Sequence, residues 1–167
     1  MKQVEGSAEV YERYIDPRAG AAEKQGDDGA ESILSNLDDA GLMRRFMSSP
    51  AGIATLLDPK WKAKRHLIHI SRAAAKCVLT PGSRLIVNVP PAHGKSMIFG
   101  KWLIVWALMM RPAMRVIYTS YEQAIANDWG RRVRDVFLNN DLTTKIRPDK
   151  AGVTDWETTD GGGMIST

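Results

Sequence analysis

Apolar residues first recur at helical spacing after Ser32, as Ile33, Leu34, Leu37 and then Leu42, Phe46 and Met47. That pattern predicts one or two short helices, punctuated by Ser48-Ser49-Pro50 and Asp58-Pro59. A longer helix is predicted over about 60–79. Leu67, Ile70, Ala74, Cys77 and Val78 form its apolar set, Lys60, Lys62, Lys64, Arg65, Arg72 and Lys76 fall largely elsewhere, and Pro81-Gly82 ends it. Arg84 to Val89 is short, β-branched and apolar on both faces, the pattern of a buried parallel strand. A helix with Ile98, Trp102, Val105, Trp106 and Met109 on one face follows, stopped by Arg111-Pro112. Arg115 to Ser120 predicts a second strand. Residues 122–138 predict a second helix with a stripe of Ile125, Trp129, Val133, Val136 and Phe137. Near the end, Val153 to Thr158 and Met164 to Thr167 flank Asp160-Gly-Gly-Gly163, which reads as a hairpin.

Strand, helix, strand, helix with short connections implies right-handed crossovers and a parallel sheet with flanking helices. The expected fold class is therefore α/β, a partial P-loop NTPase domain preceded by a helical N-terminal region. Three parts are expected: an arm over 1–30, the helical region over 31–80, and an incomplete nucleotide-binding core over 81–167. The arm holds Gly6, Gly20, Gly26 and Gly29 with many charges, and cannot bury enough apolar surface to offset its ordering entropy.

The length of 167 residues suits one domain, and 44% apolar with 25% charged residues is ordinary for a globular chain. No run is long and apolar enough to span a bilayer, and the first fifteen residues lack the apolar region of a secretory signal. Cys77 is the only cysteine, which excludes an internal disulfide and suits a reducing cytosol; its apolar setting reads as packing. The net charge is +4, unevenly spread. Residues 1–40 carry four basic and ten acidic side chains, 41–80 eight and one, and 81–167 eleven and eight. A basic middle can meet nucleic-acid phosphates, or can be a solvated helix face.

The chemistry concentrates at Val89-Pro-Pro-Ala-His-Gly94-Lys95-Ser96. Its spacing and last three residues fit the phosphate-loop pattern, with Val89 in place of the first glycine. Gly94 lets successive N–H groups converge on a phosphate oxygen, and the helix beginning near Lys95 adds the positive end of its dipole. Pro91, Ala92, His93, Gly94, Lys95 and Ser96 are thus the candidate nucleotide contacts. Lys95 would reach the β- and γ-phosphates of ATP as the catalytic cation, and the Ser96 hydroxyl would hold Mg²⁺. His93 reads as a loop side chain packing beside the nucleotide rather than a general base.

His66 and His69 share a predicted helix face, but no carboxylate or cysteine joins them at zinc-ligand spacing. Trp102, Trp106 and Trp129 read as core rather than as a stacking platform. Arg131, Arg132 and Arg134 either pair with Asp128 and Asp135 on a solvated face, or contact DNA or a neighbouring subunit's nucleotide. Gly161-Gly-Gly163 has no Lys-Ser after it and reads as a tight turn.

From Leu85 through Ser96 the chain resembles the large subunit of tailed-phage terminases. The resemblance continues through Arg115 to Tyr121, Arg131-Arg-Val-Arg-Asp135, Trp156-Glu-Thr-Thr and Gly161-Gly-Gly163, and covers roughly residues 55–167 with the helix upstream. It implies an ATPase motor that drives double-stranded DNA into a procapsid, coupled to a nuclease that cuts the concatemer. It further implies a small terminase subunit and a portal protein as partners, a homo-oligomeric complete protein, and the cytoplasm of a bacterial host. Two positions depart from the family pattern. Ala92 stands where relatives often carry an arginine, and no apolar strand ending in paired acids occurs before Thr167. The metal-binding Asp, the water-activating Glu and the nuclease are therefore expected to lie outside this sequence, leaving the chain inactive alone. The rival readings are another P-loop motor, such as a helicase-like protein, and a stand-alone nucleotide-binding module that never hydrolyses.

Overall fold

The computed structural model describes residues 47–167. The expected arm and the helices expected before Met47 lie outside the described residues.

Pro50–Leu57 forms helix α1. Pro50 occupies the first turn, where its missing N–H costs nothing, and the Ser49 hydroxyl accepts from the Gly52 amide (3.4 Å). Arg65–Leu79 forms α2, which buries Leu67, Ser71, Ala74, Ala75 and Leu79. The buried face is thus rotated slightly from the expected set, because Ser71 is drawn inward to accept the Ala51 amide (2.8 Å). Helix α3 is continuous but not uniform: an α turn over Lys95–Met97, a π turn over Ile98–Trp102, and α again over Leu103–Met110. Strand β1 (Arg115–Tyr118), helix α4 (Gln123–Asn139), and strands β2 (Ile146–Ala151), β3 (Asp155–Thr158) and β4 (Gly163–Ser166) complete the chain.

The fold is α/β with a small sheet ordered β1-β4-β3-β2. The expected parallel sheet is corrected to a mixed one. β1 pairs with β4 in parallel, whereas β3 pairs antiparallel with both β4 and β2. The glycine-rich turn between β3 and β4 is too short for a crossover, so those strands must run antiparallel. The strand expected over residues 84–89 is also corrected. That segment carries no strand pairing, and Ile86 is 89% exposed. β-propensity describes fit to a pleated, half-buried surface, and these six residues meet none among the described ones.

One hydrophobic core joins Ile53 and Ala54 of α1, Ala75 and Leu79 of α2, Trp102, Val105 and Trp106 of α3, Val133 and Phe137 of α4, and Trp156 and Met164 of the sheet. Helices α1 and α2 thus share this core with the sheet. Gly100 permits the close crossing of α3 and α4, since a Cβ there would lie 2.8 Å from the Trp129 ring. No described helix is long and apolar enough to cross a membrane.

Glu157 locks the sheet. Its carboxylate accepts from Lys150 Nζ (2.7 Å), Arg115 Nη2 (3.3 Å) and Arg147 Nη1 (3.3 Å). The Lys150 hydrogen bond, opposed by partial burial and helped by the Arg115 and Arg147 charges, holds the carboxyl below the usual glutamate range. A group whose folded pKa is depressed contributes fully above its unfolded value and loses that contribution as pH falls through the folded one. Thermal melts between pH 7 and 3 should therefore show a stability decline on acidification that is shallower in Glu157→Gln. Parallel declines in the two proteins would remove this role.

Candidate functional site

The loop after Val89 turns at Pro91-Ala92 and delivers the chain to the head of α3. Ala92 (φ 61°) and Gly94 (φ 79°) both take left-handed backbone, and Gly94 is the residue preceding the helix. Glycine is favoured there on two counts. Its conformation disfavours a side chain, and a Cβ would press within 3.1 Å of Leu67 on α2. Ile98 N–H makes a helical bond to the Gly94 carbonyl (3.1 Å), so the amides of Lys95, Ser96 and Met97 precede the first intrahelical donor.

Two histidines brace the loop. His93 Nδ1 donates to the Pro91 carbonyl (2.8 Å), and His66 Nε2 donates to the His93 carbonyl (3.2 Å). Their rings stand edge to face, with centroids 5.8 Å apart. His66 thus does something that its sequence context does not reveal, fastening α2 to a loop 27 residues downstream. Twenty-seven residues of separation leave no periodic signal for such a contact.

Pro91, Ala92 and His93 are exposed, Gly94 is half-buried, and Lys95 and Ser96 project into solvent. Neither the Lys95 ammonium nor the Ser96 hydroxyl has a hydrogen-bond or ion-pair partner among the described residues. A cation, a hydroxyl and the first amides of a helix therefore stand together at one open end of α3. That set is chemically suited to an anion with several oxygens. Mg²⁺ fits a single protein oxygen of this kind, because it keeps most of its shell as water and phosphate oxygens.

The arginine cluster divides. Arg131 and Arg132 both pair with Asp128, at 2.5 and 2.7 Å, as a solvated face would. Arg134 is mostly buried and reaches back to the carbonyls of Ala151 (3.0 Å) and Gly152 (3.2 Å), tying α4 to the end of β2. Trp102 and Trp106 are core, whereas Trp129 is half-buried with the Arg132 guanidinium 5.0 Å from its ring centre. The tight turn between β3 and β4 lies over Thr159-Asp160 and closes where the Gly161 amide donates to the Thr158 carbonyl (3.1 Å), while Gly163 already belongs to β4, so the turn expected over Gly161 to Gly163 is shifted toward β3. Among the described residues no cluster of three or more His, Cys, Asp or Glu is arranged to hold a metal.

Comparison with protein-family models, with curated proteins and with solved structures finds no match to this chain.

Proposed function

We propose that this chain binds ATP with Mg²⁺ on the loop 89–96, as the N-terminal ATPase part of a phage DNA-packaging terminase large subunit. The observation that carries the reading is the loop's delivery onto α3. Left-handed Gly94 precedes a helix whose first side chains, Lys95 and Ser96, are exposed and unpartnered among the described residues. In this reading Lys95 faces the β- and γ-phosphates, and the loop and first-turn amides from Pro91 to Ser96 orient them. Ser96 supplies one ligand to Mg²⁺, which neutralises charge on the phosphate oxygens when bound. His66 and His93 hold the loop so that little conformational entropy is left to lose on binding.

The packaging assignment rests on the ordered series of resembling motifs between residues 55 and 167. In it, double-stranded DNA is the cargo, and the small subunit, the portal and further copies of the complete protein are partners. In this reading, turnover requires a second side to the Mg²⁺ site and a residue that positions water.

Titration of the purified chain with a fluorescent ATP analogue in Mg²⁺ tests the site. Lys95→Ala should weaken binding by about 2–3 kcal/mol, the range for a charge-assisted hydrogen bond, or roughly 30- to 150-fold. Equal affinities in variant and parent would overturn the assignment.

A further inference from the structure

Residues 59–121 contain eleven lysines and arginines and no aspartate or glutamate. Asp58 and Glu122 bound this acid-free stretch, so its cations must find counter-charges elsewhere or remain open. Lys60, Lys62, Lys64 and Arg65 are all exposed on the connection from α1 to α2 and make no ion pair among the described residues.

Beside them a cleft of about 500 Å³ opens between the end of α1, the π turn of α3 and the outer face of α4. Lys60, Lys101 and Arg132 line it from those three elements. Two acids also line it, one of them in an ion pair. Asp135 pairs with Arg134 (3.2 Å), and Asp58 accepts the Lys60 amide (3.0 Å). Lys101 is half-buried with its ammonium 4.1 Å from the Trp102 ring centre, and no carboxylate contacts it among the described residues. Burial pushes this lysine below its usual range, with the charge of Asp58 only partly offsetting it. Arg132 uses Nε for Asp128, leaving its two terminal nitrogens without a protein acceptor among the described residues. A partly desolvated cation at the wall of an open cleft, facing a second cation with unfilled donors, is an arrangement that an anion completes.

We propose that this cleft seats a phosphate of a DNA duplex, with Lys101 and Arg132 as its contacts and the exposed run Lys60 to Arg65 following the adjoining backbone. The run of unpaired cations continuous with the cleft favours an extended polyanion over a single small ion. The choice of duplex DNA rests on the packaging reading above, to which the cleft adds a DNA-facing surface distinct from the loop at Lys95.

The test is anisotropy of a labelled duplex of about 20 base pairs with the whole chain, without nucleotide, across a series of salt concentrations. K101Q/R132Q should bind about tenfold more weakly than the parent, and the slope of log affinity against log salt should fall by about one phosphate contact. K101R/R132K should keep both. Lys145→Gln, which removes the same charge from a pair with Asp141 elsewhere, should leave the slope unchanged. Parent-like affinity and slope in K101Q/R132Q would overturn the proposal, as would an equal loss in Lys145→Gln. Displacement of the duplex by inorganic phosphate at matched phosphate concentration would also overturn it, in favour of a free-anion site. If K101Q/R132Q loses its cooperative melt, Lys60→Gln at the exposed rim carries the same test, with an expected loss of about threefold. Lys95→Ala should bind duplex like the parent, so failure of the cleft and failure of the nucleotide site register separately.

Discussion

Gly162→Ala should lower the thermal midpoint by about 10 °C, from a destabilisation of about 3 kcal/mol or more. A Cβ at this position would lie 2.1 Å from the Pro112 carbonyl oxygen and 2.5 Å from that of Met114. Both obstacles are backbone, so no rotamer change relieves the overlap. The same turn is held by Gly162 N–H donating to the Thr158 hydroxyl (3.0 Å), and by that hydroxyl donating to the Pro112 carbonyl (2.8 Å). The adjacent Gly163 amide donates to the Met114 carbonyl (2.9 Å). Displacing Gly162 therefore disturbs the parallel β1–β4 pairing as well as the hairpin. Gly161 provides the internal comparison, because a Cβ there meets nothing within 4 Å and only the left-handed backbone (φ 83°) opposes it. Gly161→Ala should cost about 1–2 kcal/mol. Equal melting points for the two variants would mean that the turn does not pack against residues 112–114.

Trp106→Ala should remove about 3–5 kcal/mol, the usual cost of emptying a large core position, and should also move the midpoint by about 10 °C. Trp106 is 2% exposed on α3, in the cluster that joins all four helices to the sheet. Its indole N–H donates to the Met47 carbonyl (2.7 Å), fastening the chain just before α1. By contrast, the indole nitrogens of Trp102 and Trp156 are buried with no acceptor among the described residues. Trp106→Phe should accordingly cost more than Trp156→Phe, since only the former leaves a carbonyl without its donor. Because α3 carries Lys95 and Ser96 at its head, Trp106→Ala should also weaken ATP-analogue binding. That effect should stay smaller than for Lys95→Ala, because the phosphate contacts themselves remain. Differential scanning calorimetry on the variants separates these contributions, and a Trp106→Ala protein as stable as its parent would place the side chain outside the core.

Helices α2, α3 and α4, strand β1 and the β3–β4 hairpin lie close to where apolar periodicity and the turn residues place them. Amphipathic spacing constrains a helix within itself, since each residue's neighbours on the helix face are three or four positions away. Turn chemistry is equally local, which is why Ser48-Ser49-Pro50 is legible as a break between elements and Asp160-Gly-Gly-Gly163 as the connection of a hairpin. The candidate loop is legible for the same reason, its residues Pro91 to Ser96 being contiguous.

The strand expected over 84–89 and the strand directions of the sheet depend on partners distant in the chain. Residues 84–89 have the composition of a buried strand, yet a strand exists only through its ladder, and none forms there in the described structure. Likewise, the parallel and antiparallel pairings of the sheet depend on which strands meet, and alternation along one strand does not encode its neighbour. His66 on the His93 carbonyl, Arg134 on the end of β2, and the meeting of Lys60, Lys101 and Arg132 at one cleft join separate elements. The sequence by itself determined helices α2 to α4, the β3–β4 hairpin and the contiguous run Pro91 to Ser96, because each depends on interactions within a few positions. Only the tertiary structure decided the strand order, the bracing of the loop and the convergence of the cations, because packing brings those residues together across tens of positions that no local pattern records.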